Sequence, residues 1–451
     1  MSFLKRFQTS LESLYLLPKE NSYVIAYSGG ADSHVLLHCC HALNLPVRAV
    51  HIHHGLQAVA DEWVNHCQSV CEQLNVHIDV VYVDAQQKKG QSPEESARIV
   101  RYQALREYLA EGDCLLTGQH LNDQAETLLI QLFRTATTAG LASMPELKQL
   151  DGYVHARPLL TFSRSEIEHY ATLNALQWIE DPSNQDITFD RNFIRKSVLP
   201  LMESRWPEVV TQLSIVADLQ SKNLSVLEDM AAIDLANNVV DCDKRHTSEL
   251  YSVVSMLAIE SLNKLSLARL LNVLRYWLMA AVNEQATRNL LEEIVYSLIQ
   301  SKQDANPVIE FSGFEFRKFN DCLYLLKKNG AIDVSSRYEW TPSLTKNIAL
   351  ANNVLSTKAT IGCGLRQELN NERLTISYRQ GGEKFHPGHR QHSQTLKKLM
   401  QEEGIPPWER ASYPLVYCSG EIIAVIGLWY AKQFTAEDDE EGWEIIVSKV
   451  F

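Results

Sequence analysis

Tyr23-Val24-Ile25-Ala26-Tyr27-Ser28-Gly29-Gly30-Ala31-Asp32-Ser33 is an apolar, β-branched and aromatic run that breaks off at two glycines and leads into a helix-length segment. Those residue types describe a buried strand, a tight turn and a helix start. Working outward, residues 46–52, 76–83 and 114–117 are similar runs, each separated from the next by a helix-length segment. The clearest helix opens at Ser92-Pro93-Glu94-Glu95. Ser92 is placed to cap it, Pro93 suits the first helical position, and Glu95 completes a capping box. This alternation predicts an α/β fold, a doubly wound parallel sheet with helices on both faces. Such sheets take ligands beyond the carboxyl ends of their strands.

The turn carries chemistry of its own. Two glycines let backbone approach an anion, and the N–H groups at a helix start make a phosphate cradle. Ser28 and Ser33 add hydroxyl donors, whereas Asp32 beside phosphates makes sense chiefly with a cation such as Mg²⁺ between them. The chain contains no Gly-x-x-x-x-Gly-Lys-Ser/Thr loop. Taken alone, the stretch is also compatible with a plain glycine turn and helix cap.

At 451 residues, about three domains are expected. We place them at 1–215, a nucleotide-binding catalytic domain, at 216–330, mostly helical, and at 345–451, a small α+β domain. Residues 208–300 have helical spacing and little strand character, notably at 267–282 and 289–299. Residues 301–307 read as a linker, and 308–326 return to β-like runs. The last part mixes short strands (374–378, 421–428) with a helix near 393–403 and an acidic run at 437–441, read as a solvated turn. With 45% apolar and 22% charged residues the chain is globular rather than disordered, and its net charge of −13 argues against a uniformly basic coat. Nine scattered cysteines without a Cys-x-x-Cys pair indicate neither a disulfide framework nor a zinc ribbon. No stretch is apolar enough for a signal peptide or a membrane span, so a soluble protein of the reducing cytoplasm, without membrane partners, is expected. Between 366 and 410, Arg366, Arg373, Arg379, Lys384, Arg390, Lys397, Lys398 and Arg410 lie among Tyr378, Phe385 and Trp408. That is either an RNA footprint or a mixed-charge surface.

Ser28–Ser33, spelled SGG-x-DS after a first strand, resembles the PP-loop of the ATP-pyrophosphatase superfamily. Three further stretches are similar to the tRNA(Ile)-lysidine synthetase family: His51-Ile52-His53-His54-Gly55-Leu56; His120-Leu121-Asn122-Asp123-Gln124-Ala125-Glu126-Thr127; and Glu180-Asp181-Pro182-Ser183-Asn184 with Asp190-Arg191-Asn192-Phe193-Ile194-Arg195. Arg379 through Arg410 resembles that family's C-terminal module. The sequence departs from the family pattern at Asn122, where Asp is usual, and at Gln119, where His is usual.

The resemblance implies an enzyme that uses ATP and Mg²⁺ to adenylate the wobble cytidine of a tRNA(Ile) with a CAU anticodon. It then joins the L-lysine ε-amine to C2, so that the tRNA reads AUA instead of AUG. By the same resemblance Asp32, Asp123, Arg191 and Arg195 would be catalytic, with Asp32 holding Mg²⁺. Ser28, Gly29, Gly30, Ala31, Asp32, Ser33 and His53 would bind ATP, and His54, His120 and Glu126 would face lysine or cytidine. Arg98, Arg379, Lys397 and Arg410 would hold tRNA. Blander readings stand beside these: surface ion pairs of Arg191 and Arg195 with Asp186 and Asp190, helix capping by Asp123 and Glu126 together with pairing to a nearby Arg, packing for Arg98 and Tyr102, and packing or, less readily, metal binding for the three histidines. Alternatives for the whole chain are another PP-loop tRNA enzyme such as a thiolase, against which the missing cysteine pairs count, or a non-catalytic tRNA-binding factor. A homodimer is left open, as is the base that deprotonates lysine.

Overall fold

The computed structural model describes residues 1–14, 23–53, 60–83, 93–134, 137–150, 152–240, 251–301, 307–329, 333–343, 345, 347–350 and 353–449. The chain divides into two compact units, Met1–Leu227 and Glu228–Phe451.

The first unit runs α1 (Phe3–Ser13), β1 (Tyr23–Ala26), α2 (Ala31–Ala42), β2 (Val47–His53), α3 (Ala60–Gln73), β3 (His77–Tyr82), α4 (Pro93–Glu107), β4 (Cys114–Leu116) and α5 (Leu121–Phe133). It continues with α6 (Thr138–Leu141), β5 (Leu147–Leu150), β6 (Tyr153–Ala156) and α7 (Arg164–Leu173). Then come α8 (Asp190–Phe193), a π-helical turn at Ile194–Val198, α9 (Leu199–Arg205) and the long α10 (Val209–Ala236), which passes into the second unit. The sheet order is β3-β2-β1-β4-β6-β5, parallel except for β5 at the edge. Successive side chains of β1 point to opposite faces: Tyr23 and Ile25 join a core with Val35, Leu36 and Phe162, while Val24 joins another with Val50, Leu105 and Leu115. Burial on both faces is why the strand reads as an unbroken apolar run. The four strands expected from the sequence are all present; the Ser92 cap and the Glu95 side chain lie outside the described residues. Strand order reverses between β1 and β4, and there the crevice opens.

The second unit is less helical than expected. Its α11 (Ile259–Leu262), α12 (Leu267–Val282) and α13 (Arg288–Glu293) pack against an antiparallel sheet, β7-β10-β9-β8. The strands are β7 (Tyr251–Ala258), β8 (Ile309–Phe311), β9 (Phe314–Phe319) and β10 (Cys322–Lys328). Strand β7 corrects the reading of 208–300 as having little strand character. Its alternation is hard to see because the register with β10 slips between Leu325 and Leu326.

The remainder of this unit is β-rich, with sheets β11-β15-β18-β19-β20 and β12-β13-β21-β14 sharing one core. These strands are β11 (Arg337–Trp340), β12 (Asn347–Leu350), β13 (Asn353–Ile361), β14 (Leu365–Arg366) and β15 (Leu374–Tyr378), then β18 (Pro414–Cys418), β19 (Glu421–Val425), β20 (Trp429–Tyr430) and β21 (Glu441–Lys449). Between β15 and β18 a small ribbon, β16 (Lys384–Phe385) with β17 (Gln394–Thr395), leads into α14 (Leu396–Glu402).

Candidate active site

The site is built where β1 and β4 end. Gly29 has φ +84°, and a Cβ there would lie 2.6 Å from Ile179 Cδ1 and 2.9 Å from Cys67 Sγ, so the turn requires glycine. Gly30 caps α2, whose first turn carries Asp32. The Ser33 hydroxyl donates to the Gly30 carbonyl at 3.0 Å and lies 3.1 Å from Ser28 Oγ, drawing the loop into a closed ring. Ala31 begins the helix, so the backbone N–H groups of 30–33 sit at the positive end of a twelve-residue dipole.

Across the crevice stands the start of α5. Gly118, which sequence reasoning missed, brings this second strand end against the first: a Cβ on it would lie 2.9 Å from the Asp32 carbonyl carbon and 3.1 Å from Ser33 N. A glycine directly between a strand and a helix cap was the available signal. His120 is buried, with Nε2 3.7 Å from Asp32 Oδ1 and 3.6 Å from Asp123 Oδ2. Asp123 accepts the His120 backbone N–H at 3.0 Å, so it does cap α5. It does more. Arg195 donates to Asp123 Oδ1 at 3.1 Å and grips Glu126 through Nε at 2.6 Å and a terminal nitrogen at 2.9 Å. Arg191 Nε lies 3.3 Å from Glu126 Oε2, and its terminal nitrogen donates to Thr127 Oγ1 at 2.8 Å. The two arginines therefore do not make the surface pairs weighed above. Asp186 accepts from Thr188, and Asp190 lies near Arg134.

Electrostatics follow from this geometry. Burial pushes the Asp32 carboxyl up, with His120 pulling it down and Asp123 adding to the rise. Burial also acts to raise Asp123, yet His120, Arg191 and Arg195 outweigh it and hold that carboxyl below its usual range. Glu126, fully enclosed, is pushed up by burial against the pull of Arg195. Burial works against the Arg195 charge, but Glu126 and Asp123 more than restore it. The result is a fixed cation between two carboxylates, beside a third carboxylate that stays open to the crevice.

Other residues singled out from the sequence fall at varied places. His51 is buried and donates Nδ1–H to the Tyr27 carbonyl at 2.9 Å, a packing role. His53 ends β2, 3.3 Å from Asp61 and with its ring 4.8 Å from Tyr82. His54 lies outside the described residues. Arg98 is exposed on α4, its guanidinium 5.8 Å from the Tyr102 ring. Asn122 offers its side-chain oxygen to the Arg164 backbone N–H at 3.0 Å, which ties α5 to the start of α7.

In the C-terminal stretch Arg379 is tied to Glu383 at 3.4 Å, whereas Lys397 is exposed on α14. Arg410 corrects the expectation of a surface contact: it is buried, and its Nε donates to the Ile405 carbonyl at 2.8 Å. Nor are the aromatics presented for stacking on bases. Tyr378 and Phe385 are buried, and Trp408 packs edge-on against Phe319 and Tyr324 at 5.9 and 5.3 Å. Among the described residues no helix is long and apolar enough to cross a membrane.

Comparison with known proteins shows the family. Residues 3–202 match the family described as PP-loop domain, 257–324 the TilS substrate binding domain, and 374–447 the TilS substrate C-terminal domain. The tRNA(Ile)-lysidine synthase of Coxiella burnetii is 35% identical over 97% of this chain and 95% of its own. That of Methylococcus capsulatus is 36% identical over 92% and 93%. That of Serratia proteamaculans is 36% identical over 97% and 98%.

Proposed function

The chain belongs to the tRNA(Ile)-lysidine synthase family, and from that premise we propose how its residues divide the work. It is an ATP-using ligase that modifies tRNA(Ile). In our reading the 2-carbonyl oxygen of the wobble cytidine attacks the α-phosphorus of ATP and pyrophosphate leaves. The ε-amine of L-lysine then attacks C2, AMP leaves, and one proton is lost from the amine. Both displacements need positioning and charge neutralisation rather than a covalent enzyme intermediate.

Gly29, Gly30, Ala31 and Ser33 supply backbone N–H donors for the phosphates, and the Ser28 and Ser33 hydroxyls would leave their ring with the Gly30 carbonyl to join them when ATP binds. The observation that carries the reading is Asp32, set on the first turn of α2 and linked through buried His120 to Asp123 and Arg195. A hard, open carboxylate at a phosphate cradle fits Mg²⁺, which is ordinarily held by one or two carboxylates plus substrate phosphates. The ion would neutralise phosphate charge there. Asp123 supplies negative charge that suits the lysine ammonium, while enclosed Glu126 does not face a ligand but holds Arg195 and Arg191 in place. His53, at the carboxyl end of β2, would meet the nucleotide. Residues 216–330 and 345–451 would grip distant parts of the same tRNA, through exposed cations such as Lys397.

The test is pyrophosphate release that depends on both tRNA(Ile) and lysine. Asp32→Ala should lower it by at least about 100-fold, the scale of losing one preorganised charged group, without unfolding the chain. A sulfur-donor requirement would indicate a thiolase, and no release a binding factor. Undiminished turnover in Asp32→Ala overturns the assignment.

A further inference from the structure

Four side chains behind the crevice form a hydrogen-bond chain whose direction is fixed from end to end. Arg157, buried just past β6, donates to His155 Nδ1 at 3.3 Å. A guanidinium has donors only, so Nδ1 accepts and the ring hydrogen sits on Nε2. That nitrogen lies 2.8 Å from Thr117 Oγ1 and donates to it. The single Thr117 hydroxyl hydrogen then goes to Gln119 Oε1. His155 cannot reverse the chain by taking a second proton near neutral pH, because burial, with Arg157, Lys148 and Arg98 around it, drives it down to about 3. The oxygen end of the Gln119 amide is thus locked inward. Its NH₂ end has no acceptor in the structure among the described residues and is not enclosed. Gln119 follows the carboxyl end of β4, between Gly118, which abuts the Asp32 backbone, and His120, which faces the Asp32 carboxylate, so its residue borders the crevice.

We propose that Gln119 reads the target base: its locked NH₂ donates to ring N3 of cytosine and rejects uracil. The two pyrimidines share the 2-carbonyl oxygen and differ at N3, which accepts a hydrogen bond in cytosine and donates one in uracil. A fixed donor therefore discriminates where a freely turning amide would not, since a turned amide offers its oxygen to uracil N3–H. This inference rests on the proposed function, because it presumes a pyrimidine in the crevice.

The experiment uses the full chain and tRNA(Ile) transcripts carrying C34 or U34. It measures kcat/KM for lysine-dependent pyrophosphate release on C34 and the inhibition constant of U34 against it. Thr117→Val keeps the buried shape but unlocks the amide, and Gln119→Leu removes the donor. Each should narrow the preference for C34 over U34 by about 10-fold, the worth of one hydrogen bond, with KM for ATP unchanged. Gln119→His, which can still accept from Thr117 and present an N–H, should keep the preference. Equal weakening for both transcripts, or an unaltered preference in folded Thr117→Val and Gln119→Leu, overturns the proposal. If the unmutated chain releases no pyrophosphate with C34 transcript and lysine, the functional reading itself has failed and this inference falls with it.

Discussion

Arg195 holds three bonds to two carboxylates, one of which has no access to solvent. Removing it would leave Glu126 charged and enclosed with only Arg191 nearby, or force a proton onto it. Breaking a buried pair from one side costs about 3 kcal/mol or more, so Arg195→Ala should lower the denaturant midpoint markedly and abolish turnover. Arg195→Lys keeps the charge but cannot reproduce the two-pronged grip. It should therefore fold better than the alanine variant while still losing most activity, as urea titration and pyrophosphate release would report.

The sequence displayed the members of this cluster and allowed Asp123 and Glu126 a nearby Arg, but did not show which one. Asp123 and Glu126 share a helix face three residues apart, which was legible. That Arg191 and Arg195 turn toward them rather than toward Asp186 and Asp190 is a matter of tertiary packing, and Arg195 itself sits in a π-helical turn at Ile194–Val198 that has no local signature. Gly118 and the Arg157–His155–Thr117 chain were hidden for a similar reason: their meaning arises only once β4 and β6 lie side by side.

At the scale of elements, the segment around α14 and β18 holds a carboxyl with unusual titration. Glu409 is 2% exposed, and burial pushes it from 4.5 up to about 7. Below pH 4.5 folded and unfolded chains both carry its proton and its contribution to stability is whole. Between 4.5 and about 7 the unfolded chain sheds the proton while the folded chain keeps it, so stability falls as pH rises, by about 1.4 kcal/mol per unit. Across that window the loss is about 3 kcal/mol. Glu409→Gln should flatten this part of the profile and raise Tm at pH 8 relative to the parent. A Tm difference between the two that stays constant from pH 5 to 8 would contradict it.

Elements differed in how plainly the sequence announced them. The parallel sheet showed itself because each strand is apolar throughout and bounded by turns. Strand β7 did not, since Ser252 and Val254 are exposed, Ser255 is half-buried, and a slip in register breaks the alternation. The aromatics of 366–410, left open between an RNA footprint and a mixed-charge surface, were ambiguous for a complementary reason: large rings among cations at a surface and large rings closing a small core have the same spacing.

For the molecule as a whole, a net charge of −13 must meet a polyanion. Binding of tRNA therefore has to rest on local cations whose own carboxylate partners do not already satisfy them. Arg373, Arg379 and Arg390 are paired with Glu339, Glu383 and Glu402, whereas Lys397 stands exposed on α14 with no ion pair among the described residues. Lys397→Ala should weaken tRNA binding and reduce the slope of log K against log salt by about one, with ATP affinity unaltered. Binding isotherms at several salt concentrations check this, and Arg379→Ala should change the slope less.

Trp408, from the stretch after α14, lies edge-on to Phe319 and Tyr324 and beneath the Arg317 guanidinium at 5.4 Å. A ring clasped on several sides works as a rivet. It ties the hairpin strands of the middle segment to the stretch that follows the ribbon-and-helix of the tail. Whatever long ligand touches both would be measured off like stock between calipers, and a shorter or longer one would reach only one of the two points.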